Sequence, residues 1–156
     1  MKRIPIHFKK ITPEVLKEAA MIVDQGSRVR FYKIKNSTVH KVYIKIFRID
    51  DDMDTEFMYH HFGGYYYVKD SKCIRDQKNY WLNIQQHRAV RLMQLLLPYL
   101  TLRKEVVESI LAYYDSKKKN KKRRLTAEMK AERDQIYKNY KEAQARFMEC
   151  VKKSKS

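Results

Sequence analysis

The chain has 156 residues, of which 44% are hydrophobic and 12% aromatic, with only 3 Gly and 3 Pro, which excludes collagen-like, Gly/Pro-rich and wholly disordered classes and points to a small folded domain. Lys and Arg number 35 against 18 Asp and Glu, a net charge of +17, the balance expected of a protein whose partner is a polyanion. No purely apolar stretch exceeds five residues (Ala19 to Val23 is one), and Leu95-Leu96-Leu97 ends at Pro98, far short of the roughly 18 residues a membrane span needs, so the expectation is an intracellular protein without a membrane partner.

In chain order, residues 1–11 form a basic arm with no apolar h-region, unlike a secretory signal. The arm is acid-free, which fits an organellar presequence and an untargeted arm alike. Thr12-Pro13-Glu14 is a helix start: a hydroxyl N-cap, proline at the first helical position, and an acid near the positive end of the dipole. The helix runs to Gly26, where the spacing predicts a left-handed stop. Two period-two segments follow, over 28–34 and 39–47, joined by a turn at 35–38. In the first, Arg28, Arg30 and Tyr32 point away from Val29 and Phe31. In the second, Lys41, Tyr43, Lys45 and Phe47 point away from Val42, Ile44 and Ile46. The pair therefore has an apolar back and a basic, aromatic front, to which Lys33 and Lys35 are added as candidate nucleic-acid contacts.

Asp50-Asp51-Asp52 reads as the acidic first turn of a helix holding Met53, Phe57 and Phe62 and closed by Gly63-Gly64. No EF-hand spacing follows, so a cation site is not expected. Strands at 65–68 and 79–86 flank a loop rich in cations, with Lys69, Lys72 and Lys78 as candidate contacts and Trp81 as a stacking candidate in the second strand. Helices are expected over 89–97, ending before Pro98, and from Arg103 to Tyr114. From 117 to 124, Lys117, Lys118, Lys119, Lys121, Lys122, Arg123 and Arg124 interrupted only by Asn120 form a run expected to stay extended until a polyanion neutralises it. Thr126 caps a final, mostly polar helix, and residues 115–156 carry 15 Lys and Arg against 6 Asp and Glu.

The expected fold is α+β: a four-stranded antiparallel sheet with helices on one face, over residues 12–115, then a basic loop (116–125) and a C-terminal helix and tail (126–156). Cys73 and Cys150 lack a C-x-x-C spacing, and the five histidines form no H-x-x-x-H or H-x-x-E pattern, so neither disulfide, metal nor cofactor is expected. Alternating cations on a β-ribbon suit the major groove of duplex DNA, and aromatics beside them suit unpaired RNA bases.

Three stretches resemble the LAGLIDADG homing endonucleases in their small, single-motif, homodimeric form. They are Glu18-Ala19-Ala20-Met21-Ile22-Val23-Asp24-Gln25-Gly26-Ser27, the segment Leu97-Pro98-Tyr99-Leu100-Thr101-Leu102-Arg103-Lys104-Glu105 (similar to the family's LxPFLxLKxKQ), and Asp134-Gln135-Ile136 through Lys141. The likeness extends over roughly residues 12–145. It implies a metal-holding acid at the foot of the signature helix, where this chain has Gln25. It implies a pocket lysine where Arg103 stands and a strand glutamine where Arg48 stands. An amide brings no charge to a divalent cation, and arginine titrates too high to assist proton transfer. The catalytic pocket at Gln25, Arg48 and Arg103 is therefore expected to be degenerate. The resemblance also implies homodimerisation through the 13–25 helix, with Ala19 and Ala20 allowing close approach and Glu18 placing a charge at the seam.

These observations lead to the expectation of a non-catalytic, RNA-binding protein, with Arg103 and Lys104 added to the contact set. As such it would be a structural component of an organellar, for instance mitochondrial, ribosome or another ribonucleoprotein, bound to rRNA and neighbouring subunits. The alternatives are a divergent homing endonuclease and a DNA-binding regulator, since phosphate contacts alone carry no sugar or sequence information.

Overall fold

The computed structural model describes residues 11–35, 39–119 and 126–155. Residues 1–10 of the basic arm, 36–38 of the expected turn and the cations at 121–124 lie outside them. The chain divides into two compact units, Met1–Leu100 and Thr101–Ser156, so the helix after Pro98 belongs to the second unit rather than to a core ending at 115.

The first unit is built in the order α1 (Pro13–Gly26), β1 (Ser27–Lys33), β2 (His40–Ile49), α2 (Met53–Phe62), β3 (Tyr65–Asp70), β4 (Lys78–Gln85) and α3 (Gln86–Leu96), then a 3-10 turn, Leu97–Tyr99. The Thr12 hydroxyl accepts from Val15 N, with Pro13 at the first helical position. The helix does not end left-handed as expected: the chain's positive-φ glycines are Gly63 and Gly64, not Gly26. Instead α1 passes straight into β1 through an extended Ser27, whose hydroxyl donates to the Val23 carbonyl at 2.7 Å.

All strand pairs are antiparallel, in the order β1-β2-β4-β3. Val29, Phe31, Val42, Ile44, Ile46, Leu82 and Ile84 are buried on one face, against α1, α2 and α3, with Ala19, Met58, Phe62, Leu92 and Leu96 supplying helical counterparts. Removing that much apolar surface from water is what pins the strand register, since a one-residue slip would turn each of these side chains outward.

The three aspartates precede α2 rather than forming its first turn. Asp50 is left-handed (φ 56) and ties β2 to β4: its amide donates to the Lys78 carbonyl and its carboxylate accepts from Lys78 N, both at 2.8 Å. Asp51 accepts from Met53 N, and the acids of the first turn proper are Asp54 and Glu56. Gly64, at φ 113, lies so near β4 that a Cβ would meet the Asn83 carbonyl at 3.0 Å.

The second unit is a pair of antiparallel helices, α4 (Lys104–Lys119) and α5 (Ala127–Lys155). Thr126 caps α5, its hydroxyl accepting from Met129 N at 3.2 Å. The helix α4 runs past the expected end at Tyr114, so Lys117, Lys118 and Lys119 form its last turn rather than an extended chain. Cations there complement the negative end of the helix dipole. No described helix is long and apolar enough to cross a membrane.

Candidate nucleic-acid interface

Antiparallel pairing puts directly opposed residues on the same face, and the register assembles the other side of the sheet row by row. Arg30 lies opposite Tyr43, and Tyr43 opposite Gln85. The next row runs Arg28, Lys45, Asn83, Tyr65, and the next Phe47, Trp81, Tyr67. Ile49, Asn79 and Lys69 form the last, with Tyr32 opposite Lys41 at the far end. The charged residues in these rows are Arg28, Arg30, Lys41, Lys45 and Lys69, and none is an acid. Arg28, Arg30, Lys41 and Lys69 are exposed, and Lys45 is half-buried.

Arg28 and Lys45 are like charges placed directly opposite each other, an arrangement that disfavours the isolated sheet by a few tenths to about 1 kcal/mol. The Trp81 ring beside Lys45 partly offsets it, and two further cations of the face also rest on rings. The Lys45 ammonium lies 5.0 Å from the Trp81 ring centroid, the Arg30 guanidinium 5.4 Å from Tyr32, and the Lys69 ammonium 5.4 Å from Tyr67.

Other candidates fall elsewhere. Lys33 pairs with His40 and Lys78 with Asp70. Both cations therefore have the strand parity of the helix-covered face, although both are exposed at strand ends. Lys35 lies beyond the end of β1, and Lys72 in the β3–β4 loop, also exposed. In the second unit Lys104 and Lys117 to Lys119 are exposed. Arg103 is not a surface cation: it is 6% exposed, with its guanidinium 4.1 Å from the centroid of Phe147. Conversely, the rows bring in Phe47, Tyr65, Tyr67 and Asn83, which sequence reasoning left out of the contact set. Tyr65-Tyr66-Tyr67 shows no alternation to betray which rings share the open face; only the pairing with β4 does.

At the foot of α1, Gln25 is exposed and Asp24 is 6% exposed. Arg48 reaches this point from β2. Its Nη1 donates to the carbonyls of Gly26 (2.7 Å) and Phe47 (2.8 Å), and its Nε and Nη2 contact the Asp54 carboxylate at 2.9 Å. A Cβ on residue 26 would lie 2.3 Å from Nη2, so glycine is needed there for the approach of a side chain, not for a special φ. The helix has no basic residue in its last turn, and Arg48 supplies that charge from outside. A divalent cation does not fit these residues. Gln25 is neutral, a guanidinium already occupies the carbonyl end of the helix, Asp54 is spent on that guanidinium, and Asp24 is buried, only 6% exposed. Among the described residues no three His, Cys, Asp or Glu side chains gather as a metal site.

The dimer expectation is also altered. Ala19 and Ala20 are 0% and 1% exposed, so they pack inside the chain, and the outward side of α1 carries Glu14, Glu18, Met21 and Gln25. Burial, and next to it His60, hold the His61 imidazole on α2 below its usual value, with Glu18 opposing them.

Neither a protein-family model nor a curated protein sequence matches the chain. Its fold is similar to solved structures of the homing endonuclease I-CvuI. In complex with the I-CreI target, that enzyme superposes with a TM-score of 0.52 at 12% identity, covering 85% of this chain and 93% of that one. In complex with its own target, the values are 0.53 and 12%, covering 80% of each chain.

Proposed function

We propose that the chain is a nucleic-acid-binding protein that grips duplex DNA with the open face of its sheet and does not cut it. The observation that carries this is the row arrangement: five cations on one exposed β face, no acid among them, and two of them, Arg28 and Lys45, directly opposed. A sheet keeps such a pairing at a cost, and a line of phosphates reverses the sign of that cost. The fold's likeness to a homing endonuclease solved with DNA favours DNA over the ribosomal RNA expected above, a choice that charge alone does not make. Gln25 and the Arg48 guanidinium seated on the Gly26 carbonyl support the absence of cutting: neither offers the negative charge that would hold the cation a phosphodiester hydrolysis recruits.

The test is a paired binding and cleavage assay with Mg²⁺ present. Wild-type protein is expected to bind duplex DNA more tightly than structured RNA of equal length and to leave both intact. Gln25→Asp alone is expected to leave DNA intact as well, because Arg48 remains. Chelator-sensitive double-strand breaks would overturn the non-cutting half. Tighter binding of RNA at every salt concentration would overturn the choice of DNA.

A further inference from the structure

The open face is not uniform. Four of its cations lie on β1 and β2, whereas the part built by β3, β4 and the end of β2 is a continuous chain of rings. Tyr65 and Tyr67 are 5.6 Å apart between centroids, Tyr67 and Trp81 6.0 Å with planes within 8°, and Trp81 and Phe47 4.2 Å. Tyr65 is 60% exposed on the edge strand and Ile49 in the adjoining row 50% exposed, while Phe47, Tyr67 and Trp81 are half-buried. The Lys45 ammonium lies over the Trp81 ring and the Lys69 ammonium over Tyr67, so a base that stacks there takes the place of a cation that can turn to its phosphate.

A contiguous apolar and aromatic patch rimmed by cations marks an interaction surface, because leaving it in water forfeits the burial that the same rings would gain elsewhere. A uniform duplex offers such a patch little: its bases are covered above and below by their neighbours, and only phosphates and groove edges face outward. An unpaired base presents a bare π-face beside a phosphate, and rings flanked by ammonium groups match both parts.

We infer that the ladder Tyr65–Tyr67–Trp81–Phe47 is a stacking platform for one unpaired base, so that the preferred ligand is a duplex interrupted by an extruded or bulged nucleotide. The inference rests on the DNA-binding function proposed above and names the substrate class of the same face. Arg28, Arg30 and Lys41 hold the flanking backbone while the platform takes the base.

Trp81 is the sole tryptophan of the chain, so its own fluorescence reports on the platform without a label. The experiment titrates the full chain with three DNAs: a uniform duplex, the same duplex with one bulged adenine, and the same with an abasic bulge. The bulged adenine is expected to quench Trp81 and to bind about 10-fold tighter than the uniform duplex, with the abasic bulge no better than the uniform duplex. Trp81→Ala and, at an exposed position that does not threaten folding, Tyr65→Ala are expected to reduce the preference. Trp81→Phe is expected to keep it, and none of these changes should alter the salt dependence. Equal affinities with unchanged emission would overturn the platform while leaving duplex binding intact. Failure to bind any of the three would overturn both.

Discussion

Arg48 and Gly26 act as one unit. The guanidinium makes hydrogen bonds to two main-chain carbonyls and an ion pair to Asp54, and it can do so only because position 26 has no Cβ. Gly26→Ala should therefore displace Arg48 and cost about 1–2 kcal/mol, the value of a partly exposed charged hydrogen-bond set. Once Arg48→Ala has removed the obstacle, the same glycine change should stabilise by up to about 0.5–1 kcal/mol, since alanine is the better helix residue and the backbone there needs no positive φ. Chemical denaturation of the two single variants and the double variant checks this reversal of sign. Additive costs would show that Arg48 is not what position 26 accommodates.

At the scale of elements, the second unit shows how packing sets a pH limit. Along α5, Met129, Tyr140, Ala143 and Phe147 are buried, with Arg133, Ile136 and Val151 half-buried between and after them. Their spacing runs in threes and fours, as for a helix laid along one neighbour, here α4. On α4, Tyr114 has its pKa pushed up to about 12 by burial, with a smaller contribution from Tyr113. The folded state thus holds its proton more tightly than the unfolded chain, whose tyrosine titrates near 10. That contribution to stability is whole below pH 10, shrinks as pH rises, and is gone above about 12. Thermal melts from pH 9 to 12 should show a steeper loss for wild type than for Tyr114→Phe. Parallel curves would mean that the phenol is freely hydrated.

The strands β1 and β2 were legible because Arg28 to Tyr32 and Lys41 to Phe47 alternate cleanly between polar and apolar. The strand order β1-β2-β4-β3 was not legible. Nothing local to Trp81 says that Phe47 and Tyr67 will flank it, because those pairings span tens of residues and are set by which faces can be buried together. The foot of α1 was half legible. Gln25 was visible as a missing charge, but Gly26 suggested a left-handed stop when its role is to admit a side chain from a strand 22 residues away. Parity likewise separates Lys33 and Lys78 from the cations that share the open face, and burial removes Arg103.

For the whole molecule, a charge of +17 guarantees some attraction to any polyanion, so affinity alone does not locate the contact surface. The dependence on salt does, because each phosphate neutralised on duplex DNA releases counterions and steepens log affinity against log salt by about 0.9. The most direct measurement is therefore a titration of duplex DNA at several salt concentrations, for wild type and for Arg28→Ala, Arg30→Ala, Lys41→Ala and Lys45→Ala combined, with Lys117, Lys118 and Lys119 changed to Ala as the comparison. If the open face is the interface, the first variant loses about 3 to 4 units of slope while the second loses less. An unchanged slope in the sheet variant, with the loss appearing in the helix-end variant instead, would contradict binding through the sheet.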